Sequence, residues 1–558
     1  MNPMSKSAAI RTAFGFATAV ACGWFLAMLM IGVGVAGAVE WRSEVVVPGM
    51  AGGPAGVAPH GLTGLSFGPD GALYVASFVG PGIFKFDIAA GTFSEEVGGL
   101  DAAADDVAVA ADGTLAWTGL GDGKLWMRKP GGTPVAVAEN LPLINPVAFT
   151  KDGKILTGQI SQTDSLLEVD PSTKNIRVIA RGLGGINAFQ PDGKGGLWVP
   201  LAEKGAVGRV DLESGHLEVI ATGLGQPVAV KADSIGGLYT IDWQTGRVFH
   251  VNPVSGETRK IATVPPPLDN LAIGPDDTIY VTRPLDNAVI AVGPVTGAQR
   301  KVFHGVLSAP GGMTTATANG KALILVADAY GTRTIDLASR RVTSPPFDLM
   351  VNAGSMVAAS DKSLALTNVR RGTLVLIDRA TGRARHSLGG FVTPMGVVME
   401  DESTALVASY GTGEIIRVSP GAKPERATAI AGLQGPVGLA AAADGRWYIT
   451  EADAGRLVSI DPATGDRTVI VDRLEQPEGL AVLDDGRIAI AEVGRRRLFI
   501  IAPVSGDMDI VAEDLPIGAV FTRAPAPVYL PTGVAADADG NLYVSCDRDN
   551  TVLKFLPQ

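Results

Sequence analysis

Residues 435–474, GPVGLAAAADGRWYITEADAGRLVSIDPATGDRTVIVDRL, decide the fold. Within them 437–441 is a short apolar run, Asp444-Gly445 a tight-turn dipeptide, and 447–450 a second run rich in β-formers, so the spacing predicts two strands and a hairpin. Residues 456–460 give a third strand, Ala463-Thr464-Gly465 a turn, and 467–471 a fourth.

Four antiparallel strands in about 40 residues, with a turn signature at each bend, match one blade of a β-propeller. Relatives of this unit recur along the chain. Their first turns fall at Gly71, Gly113, Gly153, Gly193, Ser234 to Gly236, Asp277, Gly320, Lys362, Glu402, Gly445, Gly486 and Gly540. The seventh and eighth units match least well, and the twelfth carries extra residues at 513–529. Twelve blades exceed the four to eight of a single propeller. The expectation is therefore an all-β chain of two tandem six-bladed β-propellers, residues 39–297 and 298–558. Residues 43–47 resemble a fourth strand without its unit, and the chain ends after a third strand, 552–555. Residues 43–47 are expected to complete the sixth blade, with 299–304 crossing over to complete the twelfth, which leaves no open sheet edge.

The 558 residues include 71 glycines and 36 prolines, are 46% hydrophobic and carry a formal net charge of -11. This balance suits many short strands joined by turns. Acidity without a basic stripe excludes nucleic acid, whose phosphates need clustered Lys and Arg. Residues 1–38 read as a signal peptide, with Lys6 and Arg11 ahead of an apolar run and Ala36-Gly37-Ala38 as a small-residue cleavage site. The run approaches the roughly 20 residues that span a bilayer, so an uncleaved anchor is the alternative and the one route to a membrane. A periplasmic or secreted protein is expected. Cleavage removes Cys22 and leaves Cys546 alone, so stability must come from repeats packing on one another rather than from an internal disulfide.

Two motifs carry a resemblance. Residues 68–75 (GPDGALYV) set a Gly-Pro-Asp-Gly turn before a Leu-aromatic-Val strand, and residues 460–465 (IDPATG) follow the pattern Ile-Asp-Pro-x-Thr-Gly. Both resemble NHL-repeat propellers and the related virginiamycin B lyase and SMP-30/gluconolactonase families, over nearly all of the chain after residue 38. Because these motifs are turns, the resemblance implies a fold and only classes of function. One class is a divalent-cation-dependent hydrolase or lyase acting on an oxygen-rich small molecule. The other is a non-catalytic interaction scaffold of the cell envelope.

Propeller sites lie over the central channel, where the innermost strands begin. The residue just ahead of each innermost strand is Thr63, Asp105, Asn145, Asn187, Val228 and Asp269 in the first six units, with Asp106 and Asn270 alongside. In the last six it is Gly312, Gly354, Met395, Val437, Glu478 and Thr532, mostly apolar or small. The first mouth is polar and acidic, which makes Thr63, Asn145, Asn187 and Asn270 the candidate residues for a small polar ligand. Converging carboxylates and amide carbonyls suit hard cations such as Ca²⁺ or Mg²⁺. The SMP-30 resemblance implies a cation held by a glutamate, an asparagine and an aspartate from different blades. With the family's first blade set on the second unit, Asp105 takes the glutamate's place, Asn187 that of a substrate-side asparagine, and Asp269 that of the aspartate which is both ligand and catalytic base. The metal-binding asparagine falls on Val228, which cannot coordinate; without that shift the glutamate falls on Thr63. The expected metal set is thus Asp105, Asn187 and Asp269, with Asp269 catalytic. The alternative is that these Asp and Asn residues cap their own strand starts by bonding to local backbone.

Of five histidines only His60 lies near this mouth, and the histidine and glutamate of the lyase have no clear counterpart. In the last six units the loops after the second strands hold Asp328 and Tyr330, Arg370 and Arg371, Tyr410, Glu451 and Asp453, Glu492 and Arg495, and Asp547 and Arg548. Such loops suit an envelope protein partner or a solvated rim.

Overall fold

The computed structural model describes residues 40–558 other than 81, 161–163, 346–354, 420, 422 and 521–529. The expected signal segment, the mouth residue Gly354 and half of the loop at 513–529 lie outside the described residues. Each repeat forms a four-stranded antiparallel sheet, giving twelve sheets in chain order, and no α-helix occurs among the described residues. The fold is β-propeller-like. No helix of the described residues is long and apolar enough to cross a membrane.

The deciding stretch becomes the strands Pro436–Ala441, Trp447–Glu451, Arg456–Ile460 and Arg467–Val471. Its second strand shows why consecutive apolar residues are needed. Trp447 and Ile449 pack with Leu406 and Ala408 of the ninth sheet, while Tyr448 packs with Ile488 and Phe499 of the eleventh. Successive strand residues face opposite ways, so a strand covered on both faces must be apolar at neighbouring positions. The whole of Trp447–Glu451 is accordingly buried, whereas the fourth strand, Arg467–Val471, is exposed to half-buried. The turn markers Gly113, Gly445 and Gly486 have φ of 83, 84 and 83°, where a side chain would be strained and glycine is not. The two weakest units fold like the rest, through the strands Lys321–Asp328 and Thr373–Asp378.

Apolar clusters join each of the first six sheets to the next in chain order. The sixth then packs back on the first, with Tyr280, Val289 and Phe303 against Leu65, Val75 and Phe86. The Thr282 hydroxyl of the sixth sheet donates to the Thr63 carbonyl of the first at 2.6 Å, just as Thr118 of the second donates to Asn145 of the third. The last six sheets repeat the arrangement. Ile324, Val326 and Ile335 of the seventh meet Ala535, Tyr543 and Val552 of the twelfth.

The closing strands differ from expectation. Trp41–Val47 pairs antiparallel with Thr551–Pro557, Ser43 opposite Phe555, and completes the twelfth sheet. Gln299–Phe303 pairs with Ala288–Val292 and remains in the sixth. The crossover between the sixth and twelfth units does not occur, and a boundary at residue 297 would cut the sixth sheet. The reason is local: the sixth unit supplies all four of its own strands, whereas the twelfth runs out after three. Val46 and Val47, 4% and 1% exposed, fill the gap beside Leu307 and Met313.

Buried polar groups fasten the first six sheets to the last six. Arg333 pairs with Asp328 at 2.8 Å, both side chains being buried, and also donates to the Leu285 carbonyl of the sixth sheet. Asn287 accepts the Gly61 and Leu62 N–H groups and donates to the Pro59 and Leu307 carbonyls. His60 donates through Nε2 to the Asp547 carbonyl of the twelfth sheet. Cys546 is buried and unpaired.

Candidate functional site

Asp105 and Asp269 occupy matching points of the second and sixth sheets. Each donates its N–H to the carbonyl of a second-strand threonine, Thr118 at 2.9 Å and Thr282 at 3.1 Å. The following residues match as well, since Asp106 and Asn270 donate their N–H groups to the hydroxyls of those threonines at 3.2 and 3.1 Å. Consecutive side chains of an extended chain point opposite ways, and here they do different work. Asp106 accepts from Val107 N–H, Val147 N–H and Asn270 Nδ2 at 2.9, 3.1 and 3.0 Å, so one buried carboxylate ties the second, third and sixth sheets together. Gly64 makes room for it, because a methyl group there would lie 2.3 Å from Asp106 Oδ1.

Asp105 and Asp269 lack such partners; neither carboxyl accepts a hydrogen bond from the described residues. Burial first, then the charges of Asp269 and Asp106, hold the Asp105 carboxyl well above the usual carboxylate range. Burial and the charge of Asp106 raise Asp269 to about 7. Neighbouring carboxylates short of water cannot all ionise without added positive charge. The last six sheets supply a roof. Tyr330 follows the strand Lys321–Asp328, and burial together with the charges of Asp269 and Asp105 pushes its phenol far above its usual range. A methyl group at Gly61 would meet its hydroxyl at 2.9 Å. The Arg370 guanidinium lies over the Phe78 ring of the first sheet at 5.3 Å, and burial lowers its pKa.

Other expected residues are occupied elsewhere. Asn187 Oδ1 accepts the Ala188 N–H at 2.8 Å, as Asn270 Oδ1 does that of Leu271. Asn187 therefore corresponds to Asp106 and Asn270 and not to Asp105. The innermost strand of the fourth sheet is only Gln190–Pro191, and this shortening slips the correspondence by one residue. Asn270 is likewise turned to Asp106 and its own backbone. Thr63 and Asn145 give their carbonyls to neighbouring threonines, and the buried Thr63 hydroxyl has no partner among the described residues. Asn187 Oδ1 is thus shared with its own strand start, whereas the carboxyls of Asp105 and Asp269 are not. Among the described residues no three His, Cys, Asp or Glu side chains converge as a metal site would require.

The charged loops of the last six sheets are also not a free rim throughout. Asp328, Glu451, Glu492 and Asp547 are buried. Each accepts backbone N–H groups from the loop leading into its own sheet: Ser308, Gln434, Glu475 and Gly518 respectively. His60 is buried at the junction, and burial lowers its pKa to about 4. Glu478, the matching carboxylate of the last six sheets, accepts the Thr532 N–H at 2.6 Å, and burial keeps its pKa well above normal.

At the far end of the first six innermost strands lies a cavity of about 630 Å³, lined in part by Phe67, Phe149, Gln190 and Lys231. Its counterpart in the last six measures about 270 Å³ and is lined by Met, Val, Ala, Leu, Thr and Gly alone. This end lies away from the strand starts that hold the candidate residues Thr63, Asp105, Asn145 and Asp269. Its signal in the sequence is Lys231, a charged residue within an innermost strand.

No protein-family model matches the chain, and no curated protein sequence does. Among solved structures the chain is similar to the extracellular domain of a B. thetaiotaomicron one-component system protein, at 12% identity over 88% of this chain and 75% of that one, with a TM-score of 0.31. It is similar to the extracellular domain of a hybrid two-component system protein of the same organism, at 9% identity over 88% and 74%, with a TM-score of 0.32. A third is the tricorn protease, at 13% identity over 89% of this chain but only 61% of that chain, with a TM-score of 0.36. Likeness at these scores assigns neither ligand nor activity.

Proposed function

We propose that the chain is an exported protein of two six-bladed β-propellers, the first of which binds a small polar ligand carrying positive charge at its strand-start mouth. The pair Asp105 and Asp269 carries this reading: two carboxyls surrounded by protein, without hydrogen-bond donors, beneath Tyr330. A cationic group entering between them supplies the missing charge and expels the proton they hold near neutrality. The return of the sixth sheet to the first and of the twelfth to the seventh supports the count of blades. The NHL-like and SMP-30-like turns support the architecture, and the pattern of residues 6–38 supports export to the periplasm or beyond. Asp269, held at about 7, is matched to proton transfer at neutral pH. Lyase or hydrolase chemistry on an oxygen-rich molecule is the second reading, and a scaffolding role in the envelope the alternative to it.

Thermal unfolding with ethanolamine, and separately with Ca²⁺ or Mg²⁺, tests the site, because a ligand bound only to the folded chain raises the midpoint. Ethanolamine should stabilise the wild type and Glu478→Gln. Asp269→Asn should weaken its binding by about tenfold or more, equivalent to ~1.4 kcal/mol. Calorimetry in buffers of different ionisation enthalpy should register proton release on binding at pH 7. Indifference to ethanolamine and to both cations at millimolar concentration defeats the reading, and a response to the metals alone replaces it with a cation site.

A further inference from the structure

The opposite end of the first channel has a different chemistry, and it is independent of the Asp105 and Asp269 mouth. Lys231 lies in the innermost strand Pro227–Ala232 and lines the cavity of about 630 Å³, within the range of small-molecule sites. Its ammonium donates to the Phe189 carbonyl at 2.8 Å and forms no ion pair within 4 Å among the described residues. An ammonium has three N–H donors, so two are left for an incoming group. The buried carboxylate whose charge acts on it, Asp106, is held by other donors: Oδ1 takes Val107 N–H and Asn270 Nδ2, and Oδ2 takes Val147 N–H. Burial lowers the Lys231 pKa while the Asp106 charge raises it, so a negative neighbour favours the charged amine.

The rim carboxylates are already neutralised. Glu168 is held by Arg177 and Lys154, and Asp152 lies within 3.9 Å of the same Lys154. Lys151, also at the rim, donates to the Gly193 carbonyl at 3.1 Å and forms no ion pair among the described residues. Half-buried Phe67 and Phe149 line the same space with aliphatic residues. A cation beside apolar walls, in a space of this size, favours an anion with a flat apolar body over a bare inorganic ion. We propose that this cavity binds a small organic acid, its carboxylate on the Lys231 ammonium and its apolar body between the surrounding strand ends. The second channel cannot do the same, since its smaller cavity holds no charged or aromatic side chain.

Calorimetric titration of the intact protein with benzoate, benzamide and inorganic phosphate tests the assignment. Benzoate should bind the wild type in the millimolar range or tighter. Benzamide, the neutral isostere, and phosphate, which lacks the apolar body, should each bind at least tenfold more weakly. Lys231→Met should lose benzoate binding by tenfold or more, and Lys231→Arg should retain it. The wild-type comparison stands even if Lys231→Met does not fold with Asp106 left behind it. Equal binding of benzoate and benzamide, no benzoate binding, phosphate binding as tight as benzoate, or a folded Lys231→Met that binds benzoate unchanged would each overturn the proposal.

Discussion

Replacing Val47 with alanine should loosen the twelfth sheet and leave the sixth unchanged. Val47 is 1% exposed in the strand that pairs with Thr551–Pro557, whereas Val45, two residues earlier, is 47% exposed. Removing two buried methyl groups forfeits ~1.6 kcal/mol of transfer free energy, and the cavity left behind brings the loss to about 2 kcal/mol, or roughly 30-fold in the opening equilibrium. Val45→Ala should stay within about 0.5 kcal/mol. A chain of twelve sheets need not unfold in one step, so the assay must be local. Amide hydrogen exchange of a peptide covering residues 551–558 reports opening of this pairing directly. Exchange there should accelerate in Val47→Ala by an amount approaching that factor, and barely change in Val45→Ala. Residues 288–292, which pair with Gln299–Phe303, should keep wild-type protection. Equal exchange at 551–558 in the two variants, or lost protection at 288–292, would refute the closure.

Two other outcomes follow from buried charge. His60 has a folded pKa near 4 against an ordinary 6.5, so between those values the unfolded chain binds a proton that the folded chain refuses. Its contribution to stability is intact above pH 6.5 and falls as pH drops toward 4, by about 3 kcal/mol in all. Asp269 and Asp547, both raised to about 7, act in the opposite sense, as the folded chain keeps their protons from 3.8 up to 7. Comparing His60→Gln with wild type isolates the histidine: the variant should gain on wild type as pH falls, and a gap that ignores pH would contradict the burial argument. The Arg333–Asp328 pair is the second case. Arg333→Met leaves Asp328 buried with N–H donors but no cation and should cost ~3–5 kcal/mol, while adding Asp328→Asn should recover part of it. Additive losses in the double variant would show that the two side chains do not act as a pair.

The repeats were legible because a strand covered on both faces announces itself in consecutive apolar residues, and most of the first hairpins turn on a residue with positive φ. Trp447–Glu451 and Gly445 say as much on their own. Closure was not legible in that way. The fourth strands are exposed on the outside of the sheets and carry little pattern, so residues 43–47 fit the edge of the sixth or the twelfth unit equally well. At the mouth, Asp105 and Asp269 could be picked out by position, but Asp106 and Asn187 could not be separated from them. Which of two adjacent residues faces the channel depends on one-residue register, and the fourth sheet shifts that register by shortening its innermost strand. Tyr330 and Arg370 stood out as loop residues. That they meet the first group of sheets depends on packing between segments hundreds of residues apart, about which local sequence is silent.

The pairing of Trp41–Val47 with Thr551–Pro557 sets the order of events as the chain is made. Roughly 500 residues separate the two strands, and at about 5–20 residues per second they emerge some 25–100 s apart. Each of the first six sheets is built from neighbouring segments and can assemble as it emerges. Trp41–Val47 must wait for its partner until the eleven sheets between them have been made. Arg42 and Glu44 within it place charge on an edge that would otherwise recruit a foreign strand. The twelfth sheet is thus latched by a strand made before all the other sheets, and a nascent polypeptide cut short anywhere before residue 551 keeps that latch open.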